Sequence, residues 1–600
     1  MDKKGNLFGA GVLVLTPALM FLVFEGTAGS LPDLRGIAVL LNLVFFYMFY
    51  LGLFVLCNSS RVTCIALNTL FAGLALGEYY VVGFRYRPVM VWDALSLKTA
   101  VSVSANYHYD ITAPVAALAA VWAVLSVLAF LFPVKMKTGR VRVRAAAGVL
   151  GGSAVFLALF YGGLVDRLGL HVRLWDPVVS YREDGYLLST MVGLGYLKVQ
   201  APEGYSAEAA AGIAERFSES GEDASKLRWA SASEITPTHI ICIMNESFSD
   251  LGEIKEFETN IPYLDYYRSL DENCVKGNLY VPVFGAMTCN TEFEFLTGNA
   301  LKFAPEGSVP FQLYMRDGSF SLASVLKDQG YETIAMHPYP AANWNRENAY
   351  AAMGFDTFLA EEFYGESGRI RDYVSDRADY EKITEVTESR KGKPLFIFNV
   401  TMQNHGGYET GGFSPAVWPL GYEGAPKTEE YLSLIRESDE ALRYLIEYYE
   451  KAEDPTMIVV FGDHRPGIEN GFYEYLLGKP ISGLSAEEYA KLYATPFLIW
   501  TNYDSGYEEW DGLSAQYLST AVLERAGLKL SGWNYMLDRM SRLAPVVHFL
   551  GYRDKNGTWK SWQDQKTADE AGMFREFQIM QYNNMFDNEG RCREFFRARG

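Results

Sequence analysis

Cysteine is scarce in this chain. Its six residues, Cys57, Cys64, Cys242, Cys274, Cys289 and Cys592, show no Cys-x-x-Cys spacing. That sparseness excludes a disulfide-stapled scaffold and a zinc–thiolate site. Clustered positive charge is also scarce. Lys and Arg number 53 against 72 Asp and Glu, a formal net charge of −19. Binding a phosphate backbone needs basic patches, so nucleic acid is excluded as a partner. An even spread of apolar residues is lacking too: near-continuous apolar runs fill the first 165 residues and mixed sequence follows. Six hundred residues exceed what one core supports, so several domains are expected.

A membrane span needs about 20 mostly apolar residues to cross about 30 Å of hydrocarbon. Five runs qualify, at about 7–25, 36–57, 62–83, 112–133 and 145–165. The first follows Lys3 and Lys4 as a signal peptide would, but four further runs make it one span of a polytopic anchor. The connector VKMKTGRVRVR carries Lys135, Lys137, Arg140, Arg142 and Arg144 without an acidic residue, which places it in the cytoplasm. The N-terminus is then cytoplasmic as well, and the chain beyond residue 165 emerges outside the cell membrane. On that outer side, FRYRPVMVWDALSLKTA (84–100) mixes Arg85, Arg87, Trp92 and Asp93 with apolar residues. It reads as an interfacial segment, either an amphipathic connector or one whose arginines meet anionic lipid headgroups.

Residues 166–236 are polar, helix-prone and rich in small side chains, the composition of a helical linker. From 239 onward short β-rich runs alternate with helical stretches. HIICIMN (239–245), YETIAMH (331–337), PLFIFNVTM (394–402), TMIVVFGDH (456–464) and TPFLIWTN (495–502) read as buried strands. EEYLSLIRESDEALRYLIEYYEKA (429–452) is apolar at helical spacing. The alternation predicts a largely parallel α/β sheet covered on both faces, spanning 237–545. The aromatic and acidic stretch 546–600 reads as a cap on that domain.

In such sheets ligands sit beyond the carboxyl ends of the strands. Four predicted strands end there in a carboxylate or an imidazole: Glu246, His337, His405 and the pair Asp463–His464. Each has an innocent reading as a cap or turn residue, but their convergence on one edge points to a site. Glu246, Asp463 and His464 offer two hard oxygens and one nitrogen, a set for one divalent cation, Mn²⁺ or Mg²⁺, rather than structural Zn²⁺. PVFGAMTCNTEFEFLTGN (282–299) adds three candidate nucleophiles, Thr288, Cys289 and Thr291. A hydroxyl needs help to attack at neutral pH, and a bound dication supplies it. Thr288 starts a predicted helix, whose positive end would hold an attached phosphoryl group.

The motifs MNESFSD, MTCNTEFEFLTGN, PEGSVPF, HPYPAANWNR, QNHGGY and FGDHRPG occur in an order that resembles the lipoteichoic acid synthase family. These are membrane phosphoglycerol transferases with a sulfatase-like domain in the alkaline phosphatase superfamily, and the resemblance covers nearly the whole chain. It implies a five-span helical bundle, a linker and an α/β sulfatase-like extracellular domain. It also implies Glu246, Thr288, Asp463 and His464 as metal ligands, and Thr288 as the nucleophile. His337, Trp344, Arg346 and His405 would form the substrate pocket, with Arg346 a phosphate clamp and His405 a proton shuttle. The implied reaction moves glycerol phosphate from phosphatidylglycerol, through a phospho-threonine-type intermediate, to a glycerophosphate polymer or glycolipid acceptor. Sulfatases instead use a cysteine within Cys-x-Pro-x-Arg; the stretch Cys289-Asn290-Thr291-Glu292-Phe293 has neither Pro nor Arg. The alternatives within this fold are a phosphodiesterase, a phosphoethanolamine transferase, whose cysteine-rich ectodomain the sparse cysteines disfavour, and a non-catalytic binding protein.

Overall fold

The computed structural model describes residues 3–85, 88–91, 93, 109–136, 139–172, 177–196, 199–219, 227–231, 233–305, 308–408 and 412–598. The chain divides into two compact units, Met1–Val199 and Gln200–Gly600.

Five helices of the first unit are long and apolar enough to cross a membrane: α1 (Lys3–Ala28), α2 (Gly36–Cys57), α3 (Ser60–Arg85), α4 (Ala113–Leu131) and α5 (Arg140–Leu159). Two shorter helices follow, α6 (Pro177–Asp184) and α7 (Tyr186–Tyr196). Polar groups in the spans hold them. Glu25 of α1 accepts the backbone N–H of Tyr186 at 3.0 Å, at the positive end of α7. Asn42 of α2 donates to the Asp184 carbonyl at 2.6 Å and accepts from the Leu188 N–H at 2.9 Å. Polar groups at membrane depth need such partners, because lipid supplies none. Arg87 and Trp92 of the outer segment and Lys137 of the basic connector lie outside the described residues.

The segment expected as a linker divides between the two units. Its first part forms α6 and α7. Its second part forms α8 (Ala207–Glu219), which buries Ala210, Ile213 and Phe217 and packs on the C-terminal helix Ala568–Phe586, with Arg216 paired to Glu576. The three apolar side chains share one helical face, and that face is what removes α8 from solvent.

An eight-stranded sheet forms the core of the second unit: β1 (His239–Asn245), β2 (Cys274–Tyr280), β3 (Glu332–Met336), β4 (Thr357–Leu359), β5 (Leu395–Val400), β6 (Thr456–Gly462), β7 (Ala494–Thr501) and β8 (Tyr507–Ser514). The spatial order is β8-β2-β7-β6-β1-β5-β3-β4. All pairs are parallel except those of β7, which runs antiparallel to both β6 and β2. The five strands read from the sequence are present; β2, β4 and β8 are additional.

Helices cover both faces. On one, Phe295 of α9 (Thr288–Thr297) lies against Phe398 and Phe461, at ring separations of 5.6 and 4.7 Å. On the other, α10 (Asp376–Glu388) and α11 (Pro426–Tyr449) bury Ile383, Leu442 and Leu445 against Ile241, Ile243 and Ile458. Beyond residue 545 come a three-stranded antiparallel sheet and the helix Ala568–Phe586.

The register positions the site. β1 pairs with β6 so that Asn245 faces Gly462, and with β5 so that Met244 faces Val400. The next residues, Glu246, Asp463 and Thr401, therefore leave three neighbouring strands at one edge.

Candidate active site

Glu246, Asp463 and His464 are buried, and each offers a ligand atom within 4.8 Å of the others. His464 Nδ1 lies 3.0 Å from the Arg465 carbonyl, which accepts its proton and leaves the Nε2 lone pair facing the carboxylates. That Nε2 is 3.2 Å from Asp463 Oδ2 and 3.7 Å from Glu246 Oε1. Asp463 Oδ1 accepts from the N–H groups of Ser247 and His464 at 2.7 and 2.8 Å. Among the described residues Asp463 Oδ2 has no hydrogen-bond partner. Burial, and then the neighbouring charge of Glu246, pushes the Asp463 carboxyl above the usual carboxylate range. Two carboxylates and an imidazole lone pair converging, with Asp463 Oδ2 left without a donor, fit one divalent cation.

Thr288 borders this cluster as the first residue of α9, its hydroxyl donating to Glu246 Oε2 at 3.4 Å. All ten residues of α9 are buried, so the helix seats the hydroxyl rigidly with the positive helix end toward it. Cys289 and Thr291, the other two candidate nucleophiles, are buried as well. Thr291 donates to the Asp463 carbonyl at 2.7 Å, which ties α9 to the loop bearing two of the cluster residues.

Backbone strain concentrates here. Seven described non-glycine residues have positive φ, and Ser247, Met287, Trp344, Asn345 and Arg371 are five of them. Ser247 follows Glu246 and Met287 precedes Thr288, so left-handed turns aim both side chains.

The pocket residues expected from the sequence fall into two groups. His337 and Arg346 are buried in one polar chain. His337 Nδ1 sits 2.8 Å from the Val400 carbonyl, and its Nε2 lies 3.1 Å from Arg346 Nη1. The carbonyl takes the Nδ1 proton, and Nε2 accepts from the guanidinium. Burial, and then the Arg346 charge, holds the His337 imidazole neutral, far below its ordinary range. Arg346 Nη2 and Nε donate to Glu292 Oε1 at 2.6 and 3.0 Å, and Tyr350 donates to Glu292 Oε2. Glu292 lies one turn after Thr288 on α9. The Arg346 guanidinium, expected as a phosphate clamp, is 2% exposed and pairs with Glu292 of α9, because an unpaired Glu292 at that depth would be costly.

Trp344 is half-buried with φ 53°, and His405 is exposed. The Tyr373 hydroxyl lies 3.3 Å from His405 Nδ1. Further side chains support Glu246. Thr401 Oγ1 accepts the Glu246 N–H at 3.1 Å, and Asn404 Nδ2 donates to the Glu246 carbonyl at 3.1 Å. Asn404 adjoins His405 and Glu292 stands four residues after Thr288, so sequence proximity was the available signal for both.

Residues 238–528 match the sulfatase family. The chain is 28% identical over 443 residues to a Rhizobium meliloti (strain 1021) protein named for cyclic beta-1,2-glucan modification, covering 72% of this chain and 66% of that one. It is 25% identical over 186 residues to lipoteichoic acid synthase 2 of Bacillus subtilis (strain 168), covering 30% of this chain and 28% of that one. The matches thus span two thirds or less of these relatives' lengths. Among solved structures, Streptococcus pyogenes phosphoglycerol transferase GacH in complex with sn-glycerol-1-phosphate shares the fold. Its TM-score is 0.55 at 20% identity, over 67% of this chain and 99% of that one. A sulfatase-family match over 238–528 thus follows five helices long and apolar enough to cross a membrane, and its fold is shared with a phosphoglycerol transferase.

Proposed function

We propose that the protein is a metal-dependent phosphotransferase on the outer face of the cell membrane. It moves glycerol phosphate from phosphatidylglycerol to a hydroxyl of a glycerophosphate chain or glycolipid. The observation that carries this reading is the meeting of Glu246, Asp463 and His464 with the Thr288 hydroxyl at the N-terminus of a buried helix. The names of the relatives support the class of chemistry, and the basic connector between the fourth and fifth spans supports the orientation.

Glu246, Asp463 and His464 would hold one divalent cation, Mn²⁺ by preference, with Thr288 beside it. Such a cation stabilises an alkoxide and the charge on a transferring phosphoryl group. Thr288 Oγ1 forms a bond to phosphorus, the phosphorus–oxygen bond to diacylglycerol breaks, and the Thr288 proton ends on the diacylglycerol oxygen. An acceptor hydroxyl then attacks the glycerophosphoryl-threonine, its proton returns to Thr288, and the threonine is regenerated. His405, which is exposed, carries the proton in each step. Trp344 packs against the glycerol.

The test is diacylglycerol release from labelled phosphatidylglycerol by the purified full chain with Mn²⁺. Thr288→Ala should lower it on the order of 10⁴-fold. Release close to the unmodified rate would eliminate the scheme.

A further inference from the structure

We infer that Arg371 and Tyr373, on a strained turn, form a positioning brace for His405 that fixes its main chain and its ring together. The inference rests on the role proposed for His405. A two-stranded ribbon, Arg369–Ile370 with Tyr373–Val374, has Arg371 in its turn at φ 55°. A non-glycine residue adopts that conformation only where the surroundings over-determine it.

The surroundings here are specific. Arg371 Nη2 donates to the carbonyls of Gln403 and His405 at 2.8 and 2.7 Å. Its side chain is 4% exposed, with Nη1 3.4 Å from Glu430 Oε1. The guanidinium lies against two rings, 5.4 Å from the centre of Tyr373 and 5.5 Å from that of Tyr408. A planar cation resting on aromatic rings loses little freedom in forming its bonds, which is why arginine serves here and lysine would serve less well. Two residues on, Tyr373 places its hydroxyl 3.3 Å from His405 Nδ1.

The same segment is fixed from behind. Gln403 Oε1 accepts the Asp376 N–H at 3.0 Å, and its Nε2 donates to the Leu434 carbonyl at 3.1 Å. Asn404 Nδ2 reaches the Glu246 carbonyl at 3.1 Å. Residues 403–405 thus run from the main chain of a candidate metal ligand to the exposed imidazole, and Arg371 clamps the free end.

The Tyr373 hydroxyl suits this position because it both donates and accepts. With the tyrosine donating, Nδ1 accepts and Nε2 carries the proton; with the tyrosine accepting, Nε2 is a base. Burial first, then neighbouring charges that include Tyr339 and Glu246, raises the Tyr373 phenol above its ordinary range, so its proton stays on. One side chain can hold the ring in place in both half-reactions, where His405 must take a proton and then give it up.

The test is a double-mutant cycle in the full chain, assayed as diacylglycerol release from phosphatidylglycerol with Mn²⁺. Tyr373→Phe deletes one oxygen and keeps the ring against Arg371, so folding is spared. It should lower kcat about 10- to 100-fold with KM for the lipid unchanged. In a His405→Ala background the same change should have no effect, because there is no imidazole left to orient. Arg371→Lys, which keeps the charge and loses the planar fork, should fall between Tyr373→Phe and the unmodified chain. A wild-type kcat for Tyr373→Phe overturns the brace, as does an equal loss in both backgrounds. A His405→Ala protein with full turnover refutes the role of His405 itself, and the brace falls with it.

Discussion

Adding one methyl group at Gly462 is expected to cost more activity than stability. A Cβ built there would stand 2.0 Å from the carbonyl oxygen of Phe248 and 3.0 Å from Thr495 Cβ. Real Cβ atoms essentially never come closer than 3.0 Å, so the end of β6 and the 247–248 turn must separate by at least 1.0 Å. Both obstructing atoms belong to packed elements, one of them backbone. Gly462 immediately precedes Asp463, and the Phe248 N–H closes on the Asn245 carbonyl the turn that contains Glu246. The movement therefore opens the distance between two carboxylates proposed to share one ion, and stretches the 2.7 Å bond from the Ser247 N–H to Asp463. Overpacking of this kind costs about 1–3 kcal/mol of stability. A misplacement of about 1 Å at a reacting centre costs about 10²-fold in rate. Metal–ligand distances tolerate only about 0.2 Å, so Gly462→Ala should also need about tenfold more Mn²⁺ for half-maximal turnover. Diacylglycerol release titrated with Mn²⁺, with a thermal melt of the same sample, measures all three. A variant that melts normally and turns over within about twofold of the unmodified chain, at unchanged Mn²⁺ dependence, would refute the placement of the site at these strand ends.

Glu292→Ala should destabilise the soluble unit by about 3–5 kcal/mol, since it strands the buried Arg346 charge. At about 2.1 cal/mol/K per residue, the unit Gln200–Gly600 has an unfolding entropy near 0.8 kcal/mol/K, so the melt should drop by roughly 4–6 °C. A shift under about 1 °C would show that the pair contributes nothing. A second expectation concerns pH. His548 is buried, and that burial pushes its imidazole down to about 3. Between about pH 6.5 and 3 the unfolded chain holds one more proton at this residue than the folded chain, so stability rises with pH across that window. Relative to His548→Phe, the unmodified chain should lose about 1.4 kcal/mol per unit as pH falls below 6.5. A pH-independent difference would contradict a neutral, buried His548. Finally, Phe217→Ala should cost about 3–5 kcal/mol and raise proteolysis within 205–219, because Phe217 is buried on the face that docks α8. Unchanged proteolysis would return α8 to the status of a loose spacer.

The central strands were legible because HIICIMN, LFIFNV and TMIVVFG are buried at every position and read as predominantly apolar runs. The strands that escaped are of another kind. CVKGNLY carries Lys276 and Asn278, and YEEWDGLS is an exposed acidic edge over most of its length, so neither has a buried-strand pattern. The reversed direction of β7 is set by the order of connections and leaves no mark on TPFLIWT. At the site, the residues that end strands were visible one by one, since strand ends can be counted from the sequence. What was not visible is which of them consume one another. Arg346 reads as an open guanidinium until Glu292 is found against it, 54 residues away. The left-handed turns at Ser247, Met287 and Arg371 carry no glycine to announce them. The second half of the 166–236 segment reads as a spacer because its apolar face is only three residues wide, and its docking surface lies at the far end of the chain.

The central claim is that the transferred group rests for a moment on a single oxygen, Thr288 Oγ1. The most direct measurement is peptide mass spectrometry of the full chain after incubation with phosphatidylglycerol and Mn²⁺ in the absence of acceptor. A glycerophosphoryl group on Thr288, lost again when an acceptor alcohol is added, is the expected result. An adduct on another residue, or none in a protein that still releases diacylglycerol, would contradict it.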